Sequence, residues 1–165
     1  MTLRDQAPVR QPATTVPRPA GDELRAAGQG DPDGPSPVRD DDVELLLPAD
    51  DVDDPEFSIV IPAVNEELCI ADFVEWCHEG LRRAGARGEI LIVDSSTDRT
   101  AELAVAGGAR VLRTPKRGLG RAYIDAIPFV RGRYVIMGDA DCTYDFRNLE
   151  GFVSKLREGY EMAMG

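Results

Sequence analysis

Aromatic residues are scarce in this 165-residue chain, at 6% of the total, and residues 1–55 contain no Phe, Tyr or Trp at all. The same stretch holds nine of the twelve prolines and sets five basic residues against thirteen acidic ones. A segment of that composition cannot bury enough apolar surface to offset the entropy lost on ordering. Residues 1–54 are therefore expected to form a disordered, acidic, proline-rich leader, read as a solvated spacer in preference to a docking arm. Within it, DDDVELLLP places acidic residues before Val43, Leu45, Leu46 and Leu47, a pattern that predicts a short helical turn stopped by Pro48.

Cysteine is also sparse. Cys69, Cys77 and Cys142 show no CxxC spacing. The first two lie about 12 Å apart on a predicted helix, which excludes a bridge between them. All three are expected to be reduced, buried thiols. The single histidine, His78, is read as a helix-surface residue rather than a base. No basic N-terminus leads into an apolar stretch of about seven residues, and no run approaches the roughly 20 apolar residues that span a bilayer. The chain is expected to be cytoplasmic. A net charge of −11 without a basic patch argues against a nucleic-acid partner.

What is present begins at Phe57. FSIVIP (57–62), EILIVD (89–94), ARVLRT (109–114) and RYVIMGD (133–139) read as strands. Between them, residues 66–84 carry Ile70, Phe73, Val74, Cys77 and Leu81 on one helical face, with Asn65 placed as its cap. Thr97 or Asp98 is placed to cap a short Ala-rich helix that ends at Gly107-Gly108. Residues 118–132 form a third helix that Pro128 shortens, 146–159 a fourth, and YEMAMG opens a fifth strand. Alternation of apolar strands with helices implies right-handed crossovers, hence an α/β fold with a mostly parallel sheet and helices on both faces. Ligands of such sheets sit beyond the carboxyl ends of the strands.

The acidic residues gather at those ends. Asp139 and Asp141, spaced D-x-D after a strand, suit a hard divalent cation that arrives with a diphosphate, although the same spacing also caps ordinary turns. Asp94, beside a Ser-Ser turn, can accept hydrogen bonds from the ring N–H of a nucleobase or cap the next helix. A nucleoside diphosphate fits between the two features.

Taken together, FSIVIPAVNEE, EILIVDSSTDRT, GLGRAYIDAI and YVIMGDADCTYDF resemble, in order and spacing, the nucleotide-binding half of family 2 glycosyltransferases with the GT-A (Rossmann-like) fold, especially the polyprenyl-phosphate (dolichyl-phosphate) sugar synthase branch. The resemblance covers residues 56–165. It implies that Pro62, Val64 and Glu66 lie against the base and ribose of a nucleotide-diphosphate-sugar donor. Asp94 takes the place of the second acid in the family's strand-end pair, with Val93 at the first. Asp139, Ala140 and Asp141 are the D-A-D. Both aspartates hold catalytic Mg²⁺ or Mn²⁺, Asp141 as principal ligand, and Thr143 lies nearby. Gly118, Gly120 and Ala122 pass near the donor, with Lys116, Arg117 and Arg121 available to a diphosphate or solvated at a helix start.

The implied reaction is inverting sugar transfer, with a polyprenyl phosphate at the cytoplasmic membrane face as one acceptor. A phosphate nucleophile needs no base; otherwise a base lies beyond residue 165, because the chain is expected to be truncated within the GT-A fold. The alternatives are a non-catalytic nucleotide-sugar-binding fragment completed by further sequence or a partner chain, and a receiver-like Mg²⁺-binding domain.

Overall fold

The computed structural model describes residues 43–165. Five strands form one sheet in the order β1-β4-β3-β2-β5. They are β1 (Glu44–Leu46), β2 (Phe57–Ala63), β3 (Gly88–Asp94), β4 (Arg110–Arg113) and β5 (Tyr134–Met137). The helices are α1 (Ile70–Arg83), α2 (Thr100–Ala106), α3 (Leu119–Ala126) and α4 (Glu150–Arg157). Strands β2 to β5 run parallel, with β2 central between β3 and β5, and β1 alone is antiparallel, on β4.

Alternation along the strands divides the core. Phe57, Ile59 and Ile61 of β2 join Ile90 and Ile92 of β3 on the face covered by α1, α2 and α4, where Phe73, Val74, Ala101, Ala104 and Val153 pack. Val60, Leu91, Val93 and Leu112 face the other way, toward Ala122, Tyr123 and Ala126 of α3. Each fully buried side chain of this size contributes about 1.5–3 kcal/mol. The expected two-faced, mostly parallel sheet is therefore what forms. On the α3 face cover is thinner, and Val135 and Met137 of β5 remain exposed.

Several local expectations are corrected. Among the described residues, 43–48 make no helical turn; Glu44–Leu46 is a strand, because the free edge of β4 supplies hydrogen-bond partners for a segment too short to stand alone. Val43 and Leu45 pack on the α3-side core, and the sheet thus starts upstream of residue 55. The disorder expected for residues 1–42 lies outside the described residues. Asn65 does not cap α1, which begins at Ile70 behind Cys69. The N-cap of α2 is Arg99, while Asp98 accepts hydrogen bonds from the amide and hydroxyl of Thr100. Residues 160–165 are not a strand. The thiols are free, but only Cys77 is buried; Cys69, just before α1, and Cys142, within the β5–α4 loop, are partly exposed. Pro128 does end α3, in a 3-10 turn over Ile127–Phe129.

At the amino-terminal ends of the strands a buried carboxylate organises the sheet. Glu89, 2% exposed, accepts hydrogen bonds from Ser58 Oγ (2.6 Å), Arg110 Nη1 (2.7 Å), Arg131 Nε (2.6 Å) and the Arg131 amide (2.9 Å). Burial alone would push its carboxyl up; the Ser58, Arg131 and Arg110 donors outweigh that and hold it below its usual value. Asp51 completes the set, pairing with both terminal nitrogens of Arg131 at 3.0 and 2.8 Å.

Because the folded-state pKa is depressed, this stabilisation is present above the unfolded carboxyl value, near pH 4.5, and is lost as pH falls through the folded value. Glu89→Gln removes the close charge partner of the buried Arg110, leaving Asp51 at 3.9 Å, and is expected to cost about 3–5 kcal/mol. Urea unfolding between pH 6 and 3 should show that cost at pH 6 and a flatter acid limb than the parent's.

Candidate functional site

The carboxyl ends of β2, β3 and β5 open onto one cleft of about 310 Å³. Its walls come from Pro62, Ala63, Val64 and Glu66 after β2, Val93 and Ser95 at the end of β3, and Asp139, Ala140 and Asp141 after β5. Lys116, Gly118, Leu119 and Ala122 close it from the start of α3. A groove of about 500 Å³ along α1 and α4 is lined by arginines already paired, Arg83 with Glu150 and Arg157 with Glu56, and lies toward the opposite ends of the strands.

Pro62, Val64, Glu66, Lys116, Gly118, Ala122, Asp139, Ala140 and Asp141, all singled out in the sequence, thus meet in one place. Asp94 does not line the cleft. As the last residue of β3 it points to the face opposite Val93, is 3% exposed, and accepts a hydrogen bond from the Ser96 amide at 3.2 Å. Burial pushes its carboxyl up, against the opposing effect of Ser96. Ser95 of the Ser-Ser turn, given no role of its own in the sequence, takes the wall position beside it, as alternation continued from β3 places it on the Val93 face. Arg121 is likewise unavailable, because its Nε binds the buried Asp125 carboxylate at 2.6 Å one turn along α3. That i,i+4 spacing was legible. Among the described residues, Lys116 is the cation that lines the cleft wall.

Two loops of the wall are tied to each other. Asn65, at φ 60°, donates its amide to Ser96 Oγ (2.7 Å), and its Oδ1 accepts from the Thr97 amide (3.0 Å). The Glu66 amide donates to Thr100 Oγ1 (2.9 Å), the Glu67 amide to Asp98 Oδ2 (3.3 Å), and Glu67 Oε2 accepts from the Arg99 amide (3.2 Å). Asparagine is at home here because its short polar side chain tolerates the left-handed region and satisfies backbone locally. On the far side, Gly118 takes φ 92°, which a side chain would strain, whereas Gly120 has open space at its Cβ position.

The acidic pair sits on the β5–α4 loop. Asp139 and Asp141 are exposed, and the Thr143 amide donates to Asp141 Oδ1 at 2.9 Å. Thr143 thereby holds the Asp141 carboxyl below its usual value, so the group is an anion at neutral pH. Among the described residues no cluster of three or more Asp, Glu, His or Cys side chains is arranged to hold a metal alone. Two carboxylates with open coordination space fit an oxygen-seeking cation that keeps waters and phosphate oxygens as its other ligands. Further along, Asp145 closes its own turn on the Arg147 amide (3.1 Å) rather than capping α4.

A mostly parallel sheet with the acidic pair after its edge strand β5 and a cleft across three strand ends is a GT-A arrangement. Residues 58–165 match the family described as Glycosyl transferase family 2. The low-salt glycan biosynthesis hexosyltransferase Agl6 of Haloferax volcanii is 47% identical over 123 residues, 74% of this chain and 30% of that protein. A dolichyl-phosphate hexose transferase of the same organism is 31% identical over 110 residues, covering 67% of this chain and 47% of that protein. The crystal structure of mannosyl-3-phosphoglycerate synthase from Rubrobacter xylanophilus matches with a TM-score of 0.53 at 30% identity, over 60% of this chain and 35% of that one. The chain belongs to glycosyl transferase family 2 and spans less than half the length of these relatives. Among the described residues no helix is long and apolar enough to cross a membrane.

Asn65→Ala removes the acceptor for Thr97 and leaves a Cβ in the left-handed region without the polar side chain that offsets it. Urea unfolding should show a loss of about 1–3 kcal/mol, and Asn65→Gly, which relieves only the backbone strain, should lose about 1 kcal/mol less.

Proposed function

We propose that this chain carries the donor-binding part of a metal-dependent, inverting glycosyltransferase that moves a sugar from a nucleoside diphosphate to an acceptor, with a polyprenyl phosphate as the acceptor class. The observation that carries the reading is the meeting of Asp139 and Asp141 with Lys116 and the Pro62–Glu66 wall in one cleft. Membership of the family and the dolichyl-phosphate hexose transferase among its relatives support it.

In this reading the nucleoside lies along Pro62, Val64 and Ser95, with Glu66 near the ribose. Asp94 supports the turn that presents Ser95 and Ser96, through its bond to the Ser96 amide. Lys116 and the amino-terminal amides of α3 face the diphosphate, where cationic and N–H groups favour anionic oxygens. A divalent cation, Mg²⁺ or Mn²⁺, held by Asp139 and Asp141 would supply Lewis-acid stabilisation of the charge that develops on the departing diphosphate. A phosphate acceptor is already ionised at neutral pH, so no general base is demanded of the wall. Such an acceptor would bring the protein to the cytoplasmic face of the membrane. The same geometry serves a nucleotide-sugar-binding module without turnover, a reading favoured by the few carboxylates on the wall, since Glu66 is the one left after the acidic pair is assigned.

Calorimetric titration of UDP and GDP into the full chain, with Mn²⁺ and with EDTA, tests the donor site. One nucleotide should bind more tightly with metal, and Asp141→Asn should abolish that gain while leaving the melting temperature unchanged. Binding that ignores metal in the parent, or an unchanged gain in the variant, would overturn the assignment. Release of free nucleotide only when polyprenyl phosphate is added to the nucleotide-sugar separates transfer from simple binding.

A further inference from the structure

The acidic pair is carried by backbone that has little support of its own. Gly138 and Ala140 alternate with Asp139 and Asp141, and Cys142 turns the chain at φ 58°. The Gly138 carbonyl accepts a hydrogen bond from Tyr123 Oη, on α3, at 3.2 Å. The Ala140 carbonyl lies 3.4 Å from Cys69 Sγ, at the start of α1, but that thiol also has the Glu66 carbonyl and carboxylate within 3.6 and 3.3 Å, so its one hydrogen is shared. From below, the Phe146 ring fills the space a Cβ at Gly138 would need, 2.5 Å from its Cζ, and packs edge-on against Phe73 of α1 at 4.9 Å. The loop therefore rests on an apolar floor and is held laterally by polar tethers: a weak, long contact from Cys142 Sγ to the Cys69 carbonyl (3.9 Å), the shared Cys69 thiol, and the Tyr123 hydroxyl, the one oxygen donor among them.

We infer that Tyr123 is a positioning residue for the acidic pair: its hydroxyl fixes the Gly138 carbonyl and so sets the angle at which Asp139 and Asp141 leave β5. The inference rests on the donor-site reading above. It also links the two sides of the cleft, since α3 begins at the diphosphate wall and Tyr123 lies on its second turn. The ring of Tyr123 packs in the α3-side core. Tyr123→Phe consequently deletes the tether and keeps the packing, which makes it a clean probe.

The test is the affinity of UDP and of GDP for the parent chain, Tyr123→Phe, Cys69→Ser and Cys69→Ala, each with Mn²⁺ and with EDTA, alongside the electron paramagnetic resonance spectrum of the bound Mn²⁺. Tyr123→Phe should reduce the metal-dependent gain in affinity about three- to tenfold, the usual worth of one hydrogen bond. Affinity in EDTA and the melting temperature should stay unchanged, and the Mn²⁺ spectrum should broaden relative to the parent. Cys69→Ser, which keeps a donor, should match the parent more closely than Cys69→Ala. Equal losses with and without metal would mean a merely structural hydroxyl, and no loss would mean no role; either overturns the inference while the donor site stands. A parent chain with no metal-dependent nucleotide binding would remove the donor-site reading, and this inference with it.

Discussion

Everything at the open end of this sheet depends on a closed end held by the Glu89 carboxylate. Four donors from three separate places in the chain converge on its two oxygens, and the partner charges balance, Glu89 and Asp51 against Arg110 and Arg131. The group joins β2 through Ser58, β3 through Glu89, β4 through Arg110, and the segments that enter β2 and β5 through Asp51 and Arg131. Ser58 Oγ in turn accepts the Gly132 amide at 2.8 Å, an approach so close that a Cβ at Gly132 would sit 2.5 Å from the backbone of Phe57 and Ser58. A parallel sheet needs long crossovers, and the register of each strand is set far from its neighbours in sequence. Fixing four strand beginnings on one buried anion leaves the strand endings free to diverge into loops.

Those loops make the chemistry, and they are held by polar atoms rather than by apolar burial. Val64, Asp139 and Asp141 are exposed, and the core beneath them ends at Ala63, Ala140 and Phe146. Where the apolar floor stops, orientation comes from side-chain hydrogen bonds to backbone: Ser96, Asp98 and Thr100 on the first wall, Tyr123 and Cys69 on the second. The division suits a cleft that must bind a charged, hydrated ligand, because polar tethers can sit at a wet surface where apolar contacts would be covered.

The strands were legible because β-branched runs of four to seven residues bounded by Pro, Gly or Asp leave few alternatives, and FSIVIP and EILIVD formed within a residue of their expected ends. Motif order made the cleft legible too. What escaped was set by partners distant in sequence. Glu44–Leu46 carries no strand pattern of its own and exists because β4 presents an unpaired edge. The start of α1 moved four residues because Asn65, Glu66 and Glu67 are engaged with residues 96–100, which no local rule foresees. Asp94 shows the reach of strand alternation: it ends β3 as expected, but alternation sets its carboxylate on the face opposite Val93, which motif position alone does not specify.

The two tied loops of the first wall divide their labour in a way that bears on how such a site diversifies. Ser96, Asp98 and Thr100 use their side chains to read the backbone amides of residues 65–67, and those amides are the same whatever residues stand there. Val64 and Glu66, whose side chains face the cleft, contribute none of them to the tie. Val64 in particular can change without loosening the wall, whereas Glu66 also meets the Cys69 thiol, so one scaffold can be retuned to a new ligand by single substitutions at a position that carries no part of the tie.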